Sequence, residues 1–287
     1  MRTFLIFFFF SFIAEGNDPA LNKCILNVVG DPKGVKECKM NPDYWSSKSY
    51  AQGYNTPHFF YDIFDGGKKK DCVSRPVIFT HEITDFSQIK EIAPWGLTPQ
   101  SYLKNHTSLY IKNKGYVKGK VQIDKPVPVY APTDSYLILQ TRYRMEGLKD
   151  VQWRLIFQVG CGVVYRFDHL DIPSDRIMKH LGTIPIDENQ VTAPNIPIRP
   201  PLKIKAGELI AYTKGTPQSG SWDFGVSDLR KNNLLPKGLQ QFEKKPTGRQ
   251  FKYAACPYDY FESSLKQEYL KKMRGQSCGP YPLPSPK

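Results

Sequence analysis

The chain carries no Cys-x-x-Cys pair, no Gly-x-Ser-x-Gly elbow, no phosphate-cradling P-loop and no His-Glu-x-x-His helix. These absences exclude a zinc ribbon, a serine-hydrolase elbow, a P-loop nucleotide site and a zincin-type peptidase, because each chemistry needs its residues at that spacing. Beyond the N-terminus no apolar run approaches the ~20 residues that cross a bilayer. No internal repeat is present, and helical periodicity is scarce. Acidic residues are outnumbered 27 to 40 by lysine and arginine, for a net charge of +13. A surface of that sign prefers anionic polymers: acidic glycans, teichoic or lipid phosphates, or nucleic acid.

What is present fits an exported globular protein. The chain has 287 residues, 40% of them hydrophobic, enough to bury a core. Arg2 followed by the apolar run Phe4–Ala14 reads as a signal peptide over 1–16, with small residues at Ala14 and Gly16 and a mature start at Asn17. The expected location is secreted or periplasmic. Six cysteines in an oxidising compartment read as disulfides. Of the possible connectivities we favour the local pairs Cys24–Cys38 and Cys256–Cys278, leaving Cys72–Cys161.

The organisation expected is four segments: the signal (1–16), a loop-rich, cysteine-containing extension (17–75), a β domain (76–230), and a basic extension with a short helix and a proline-rich tail (231–287). The first extension is aromatic, with Tyr44, Trp45, Tyr50, Tyr54, Phe59, Phe60 and Tyr61. The β-type runs are Val77–Thr80, Leu109–Ile111, Tyr116–Ile123, Tyr136–Tyr143, Val151–Val159 and Val163–Phe167. Asp85–Ile92 predicts a helical turn and Pro173–His180 a short helix. Thr183–Pro201, with its prolines and no periodicity, reads as a connector. Ser263–Met273 has helical spacing, with Leu265, Tyr269 and Met273 on one face. Asn105-His106-Thr107 is a glycosylation sequon.

The stretch Lys203–Asp228 organises the rest. Ile204 leads into the turn Lys205-Ala206-Gly207-Glu208, Leu209–Tyr212 leads out, and Trp222–Val226 is strand-like. Together with Val127–Leu139 upstream it resembles the LytM/lysostaphin-type metallopeptidases of bacterial cell walls. Val129-Tyr130-Ala131-Pro132-Thr133-Asp134 is similar to that family's "V-x-A-P-x-D" segment. Tyr165-Arg166-Phe167-Asp168-His169-Leu170 is similar to "Y-x-H-L" with two residues inserted. Ile204–Ala211 is similar to "V-x-A-G-x-x-I-G", and Ser221-Trp222-Asp223-Phe224 falls where the zinc strand "H-x-H-F" belongs. The motifs cover roughly half the chain, from Pro94 to Asp228. The resemblance implies a mainly β fold, an antiparallel β-sandwich of LytM/lysostaphin (barrel-sandwich hybrid) type, carrying disulfide-pinned extensions.

The family's zinc is held by a His, an Asp four residues after it, and the second His of the "H-x-H" strand; the other two histidines assist the water. Here Ser221 and Asp223 stand where two histidines belong. His169 survives as a relict catalytic histidine. Pro94–Gln100 looks like the His…Asp turn with its histidine missing, and Asn105-His106 like a displaced remnant of its end. His81…Asp85 has the spacing of a rival ligand pair. The Cys161 thiol near His169 reads as a half-cystine rather than a nucleophile. The reading favoured is a non-catalytic relative without cofactor. It would bind a cell-envelope glycan, peptidoglycan or a protein partner through Tyr165, His169, Ser221, Trp222 and Asp223. The alternatives are an active zinc endopeptidase with the unusual ligands His81, Asp85 and Asp223, and a surface adhesive or polyanion-binding protein.

Overall fold

A computed structural model describes residues 76–97, 103–113, 115–145, 150–159, 162–182, 184, 186, 195–228 and 254–276. The segment read as a signal peptide, the aromatic extension, five of the six cysteines and the proline-rich tail lie outside the described residues. Cys256 is buried and disulfide-bonded.

The described residues are mainly antiparallel β with few helices. In chain order they form β1 (Ile89–Ala93), β2 (Gly96–Leu97), β3 (Leu103–Lys104), β4 (Thr107–Ile111), β5 (Tyr116–Val117), β6 (Lys120–Val121), β7 (Val127–Tyr130) and β8 (Ser135–Arg144). Then follow β9 (Val151–Gln158), β10 (Val163–Leu170), β11 (Ile172–Pro173), α1 (Asp175–Leu181), β12 (Ile196–Ile204), β13 (Leu209–Thr213), β14 (Ser221–Asp228), β15 (Ala254–Ala255) and α2 (Ser263–Lys272). The large sheet runs β1-β4-β14-β10-β9-β8-β12, with β15 continuing beside β14 past the end of β4. A smaller sheet runs β11-β13-β7. No helix among the described residues is long and apolar enough to cross a membrane.

Both sheets feed one apolar cluster, because one face of each strand carries its large apolar residues. From the large sheet come Leu155 and Phe157, Tyr165 and Phe167, and Trp222, Phe224 and Val226; from the small one come Val129 and Ile210. Phe157 stacks on Tyr165 with centroids 4.7 Å apart, and Phe79 meets Tyr165, Phe224, Tyr260 and Phe261. The C-terminal segment belongs to the same core. Tyr258 and Tyr269 stack at 4.6 Å, and the Tyr269 hydroxyl accepts the Ile83 amide proton at 2.8 Å.

The strands expected over 136–143, 151–159 and 163–167 form as β8, β9 and β10. The helix expected over 263–273 forms as α2, with Tyr269 and Met273 buried. Four segments differ. Val77–Thr80 makes only a single bridge, from Phe79 to Phe261. Within 85–92 a 3-10 turn at Phe86–Gln88, capped by Asp85, gives way to β1. The supposed connector before Pro201 contains β12, which pairs with β8 at Ile196–Pro197 and again at Leu202–Ile204. The prolines break the ladder between those points because they donate no hydrogen bond. Finally, Tyr116–Ile123 is not one strand. Lys118 (φ 49°) and Gly119 (φ 74°) are both left-handed and fold it into the two-residue hairpin β5–β6.

Candidate functional site

The face of the large sheet opposite the apolar cluster carries a polar group of side chains, and three strands, β14, β9 and β10, build it. On β14 Trp222, Phe224 and Val226 enter the core, so Ser221, Asp223, Gly225 and Ser227 take the other face. On β9 Trp153, Leu155 and Phe157 enter the core, and Gln152 and Arg154 take the polar face. On β10 the alternation breaks on purpose. The register shifts between Phe167 and Leu170, and His169 has φ 64°. This bulge lets both Asp168 and His169 face the polar cluster while Leu170 returns to the core at 0% exposure.

Asp223 is the hub. Its Oδ1 accepts from Ser108 Oγ at 2.6 Å, and Ser108 in turn accepts from Lys104 Nζ. Its Oδ2 lies 3.0 Å from His106 Nε2 and 3.5 Å from His169 Nε2. A second carboxylate, Asp168, is opposite Asp223 in the register of β10 and β14. It accepts from Tyr143 OH at 2.5 Å and Arg154 Nε at 2.7 Å.

The neighbours assign the protons of the two histidines. His106 Nδ1 faces Arg166 Nη2 at 2.7 Å, with Asn105 Oδ1 at 2.9 Å, and the same guanidinium nitrogen also donates to Asn105 at 2.7 Å. A guanidinium does not give up its protons, so Nδ1 accepts and the ring's single proton sits on Nε2, donated to Asp223. His169 faces acceptors on both sides. Gln152 Nε2 donates to the Gly215 carbonyl at 3.0 Å and to Asp171, which turns Gln152 Oε1 toward His169 Nδ1 at 2.8 Å. Nδ1–H is therefore donated to Gln152, and Nε2 meets the Asp223 carboxylate, which favours a second proton there.

The titration of the cluster follows. Burial, opposed by the Asp223 charge, pulls His106 down from 6.5 to about 4. Burial also pulls on His169, but its hydrogen bond to Asp223 and the charges of Asp168 and Asp223 outweigh it and raise the ring above 6.5. Burial pushes Asp168 up, yet Arg154 and then His169 hold it down at about 2. Asp223 is held well below the usual carboxylate range by His106 and His169 despite its burial. Burial lowers Lys104, with Asp223 opposing.

A pH prediction arises here. Below pH 6.5 the unfolded chain protonates His106 and the folded chain does not, so stability falls as pH drops from 6.5 toward about 4. That shift is worth roughly 3 kcal/mol. His169 has the opposite sign: its contribution is complete below 6.5 and is lost as pH rises through its raised folded value. Denaturant unfolding at a series of pH values should show the acid-side loss shrinking by about that amount in His106→Asn. An unchanged acid limb would contradict the lowered pKa of His106.

The structure brings His169 Nε2 within 3.5 Å of Asp223 Oδ2. Ser221 shares their face, its hydroxyl 2.7 Å from Ser219 Oγ. Trp222 and Tyr165 are a correction. Both are buried in the apolar cluster, Trp222 at 0% and Tyr165 at 1% exposure, so neither ring offers a stacking face to a ligand. The cause is the two-residue period of a strand, which sends Trp222 to the side opposite Asp223. The set His81, Asp85 and Asp223 is not assembled either. His81 is exposed, bonded to Thr80 and packed against Gly207, and Asp85 caps the 3-10 turn through Ser87.

Sequence reasoning gave His106 only the place of a remnant, and passed over Arg166 and Gly225. Gly225 is opposite Arg166, and a Cβ there would meet Arg166 Nε at 3.1 Å and the His106 Cβ at 3.2 Å. Its small size lets the guanidinium cross β14 to reach His106. The available signal was the polar pair Asp168-His169 between Phe167 and Leu170, a break in alternation that marks a bulge.

A zinc ion does not fit these donors. A ligating imidazole presents an unprotonated nitrogen to the metal and donates its other N–H to an acceptor. His106 does the reverse, with a cation on Nδ1 and the proton on Nε2. On the neighbouring strand the Tyr110 ring lies under the Arg274 guanidinium at 5.0 Å. Among the described residues no three His, Cys, Asp or Glu side chains are arranged to hold a metal ion.

No protein-family model and no curated protein sequence matches the chain. Solved structures similar to it include the solution structure of lysostaphin, with 11% identity over 52% of this chain and 47% of that one and a TM-score of 0.30. Helicobacter pylori Csd3 is similar at 9% identity over 67% of this chain and 39% of that one, with a TM-score of 0.32. The SpoIIQ–SpoIIIAH pore-forming complex is similar at 11% identity over 67% of this chain and 98% of that one, with a TM-score of 0.35. The chain thus spans about half the length of the lysostaphin structure. Likenesses at this level carry no argument about function, which rests on the residues of the site.

Proposed function

We propose that this protein is an exported, non-catalytic relative of the LytM/lysostaphin peptidases, an antiparallel sandwich of that type whose polar sheet face binds rather than cuts. The observation that carries the reading is the Arg166–His106–Asp223 chain. With Arg166 on Nδ1 and Asp223 on Nε2, both ring nitrogens of His106 are engaged within the protein, which supports binding over metal ligation. The ordered motifs from Val129 to Asp223 support the relationship. The partly exposed atoms of His106, Asp223 and Arg154 would hydrogen-bond a hydroxyl- or amide-bearing partner, such as an envelope glycan, its peptide, or a protein.

The test is elemental analysis of the purified mature protein, run beside a peptidoglycan digestion assay and a peptidoglycan pull-down. The expected result is no stoichiometric zinc, no cleavage, and retention weakened about tenfold by Arg154→Gln, the loss of one charge-assisted contact. Stoichiometric zinc together with cleavage abolished by His106→Ala would overturn the proposal in favour of an active peptidase.

A further inference from the structure

The hairpin β5–β6 shares no residue with the polar sheet face and presents an unusual combination. Its tip carries Tyr116 at 65% exposure and Val117 at 55%, the first and third most exposed large apolar side chains among the described residues. Lys118-Gly119 forms the turn between them and Lys120. The stretch 112–125 contains five lysines and a single acidic residue, Asp124. Lys112, Lys118, Lys120 and Lys125 are all exposed.

The hairpin is also held firmly at its base. The Val121 amide donates to the Pro217 carbonyl at 2.8 Å, and the Gln122 amide to the Gly115 carbonyl at 2.9 Å. Val121 and Ile123 pack so closely on Gly220 that a Cβ there would meet both at 2.9 Å. Beside the base opens a cavity of about 360 Å³, lined by Lys112, Asn113, Gln122 and Lys125 and by one carboxylate, Asp124. That volume is in the range of small-ligand sites, ~300–1,000 Å³.

We infer that this hairpin docks the protein on an anionic lipid surface. Tyr116 and Val117 enter the headgroup boundary, Lys118 and Lys120 flank them, and the Lys112–Lys125 cavity receives a phosphate-bearing headgroup. The chemistry is complementary at each level. Tyrosine favours the bilayer interface, with an apolar ring and a hydroxyl that stays wet. Lysines extend their stems along apolar surface and place their charges among the phosphates. A soluble polyanion would use the lysines equally well but would leave Tyr116 and Val117 without a role, so the exposed apolar pair selects the membrane.

The test is flotation of the full chain with vesicles of phosphatidylcholine alone and of phosphatidylcholine with phosphatidylglycerol, with dextran sulfate as a soluble polyanion. Binding is expected only to the anionic vesicles. Lys118→Gln with Lys120→Gln should weaken it about thirtyfold, at about 1 kcal/mol per lysine near an anionic surface. Tyr116→Ser with Val117→Ser should weaken vesicle binding by about tenfold or more, while dextran sulfate binding and thermal stability stay unchanged. In a separate Val117→Trp variant, tryptophan emission should shift to the blue with anionic vesicles and not with dextran sulfate. Three results would overturn the inference: no binding to anionic vesicles, equal binding to neutral ones, or retention of full affinity by the Tyr116/Val117 variant, which would mark a general polyanion surface. None of these variants touches the Asp223 cluster, so the outcome is independent of the proposed function.

Discussion

Asp223→Ala is expected to destabilise the fold by about 3–5 kcal/mol, the loss typical of breaking a buried ion pair by removing one partner. The carboxylate receives three donors: Ser108 Oγ, His106 Nε2 and His169 Nε2. Around it lie Lys104, Arg166 and Arg154, whose charges Asp223 and Asp168 offset. Removing Asp223 enlarges the excess of positive charge on a largely buried sheet face and strands the His106 N–H. Asp223→Asn keeps the volume and an acceptor for Ser108, so it should cost less, roughly half as much. The same substitutions should lower the His169 pKa. Burial already pulls that ring down, and the bond and charge that raise it are withdrawn. Denaturant unfolding measures the first effect and imidazole proton NMR the second. A loss under about 1 kcal/mol, with His169 titrating as before, would mean that Asp223 is not the hub.

Trp222→Ala should cost a similar amount, about 3–5 kcal/mol, but for an unrelated reason: it opens a cavity in the apolar cluster. Trp222 is at 0% exposure, edge-on to Phe167 with centroids 5.7 Å apart. Its buried Nε1–H meets no acceptor among the described residues. Trp222→Phe should therefore be far milder, under about 1.5 kcal/mol, because it keeps most of the ring and removes an unsatisfied donor. Thermal melts of the two variants decide the matter. A Trp222→Ala protein as stable as the parent, with ligand binding lost, would return Trp222 to the binding surface.

The two substitutions are one residue apart in sequence and act on opposite faces of one strand. That contrast marks how far the sequence carries. The β class was legible because apolar runs at 136–143, 151–159 and 163–167 have the length and composition of strands. The helix at 263–273 was legible because Leu265, Tyr269 and Met273 repeat at four-residue spacing. The turn at Gly207 was legible because its left-handed backbone, φ 75°, favours glycine. Each of these depends on neighbours in the chain, and local order records them.

The site was half legible. His169 and Asp223 stood out through motif order, but His106, legible only as a displaced remnant, carries no signature of its own. Only the pairing of β4 with β14, which sets Ser108 against Asp223, brings His106 to the cluster. Its proton is decided by Arg166, 60 residues further along the chain. In sequence the run 116–123 reads as one strand, because alternation continues across the two-residue turn at Lys118-Gly119 and only the backbone dihedrals reveal the reversal. Strand propensity and turn chemistry are properties of the local chain and were determined by the sequence alone. Which strand lies beside which, which face Trp222 takes, and which histidine keeps its proton were decided by long-range pairing, because hydrogen bonds and charges act through space between residues that the sequence holds far apart.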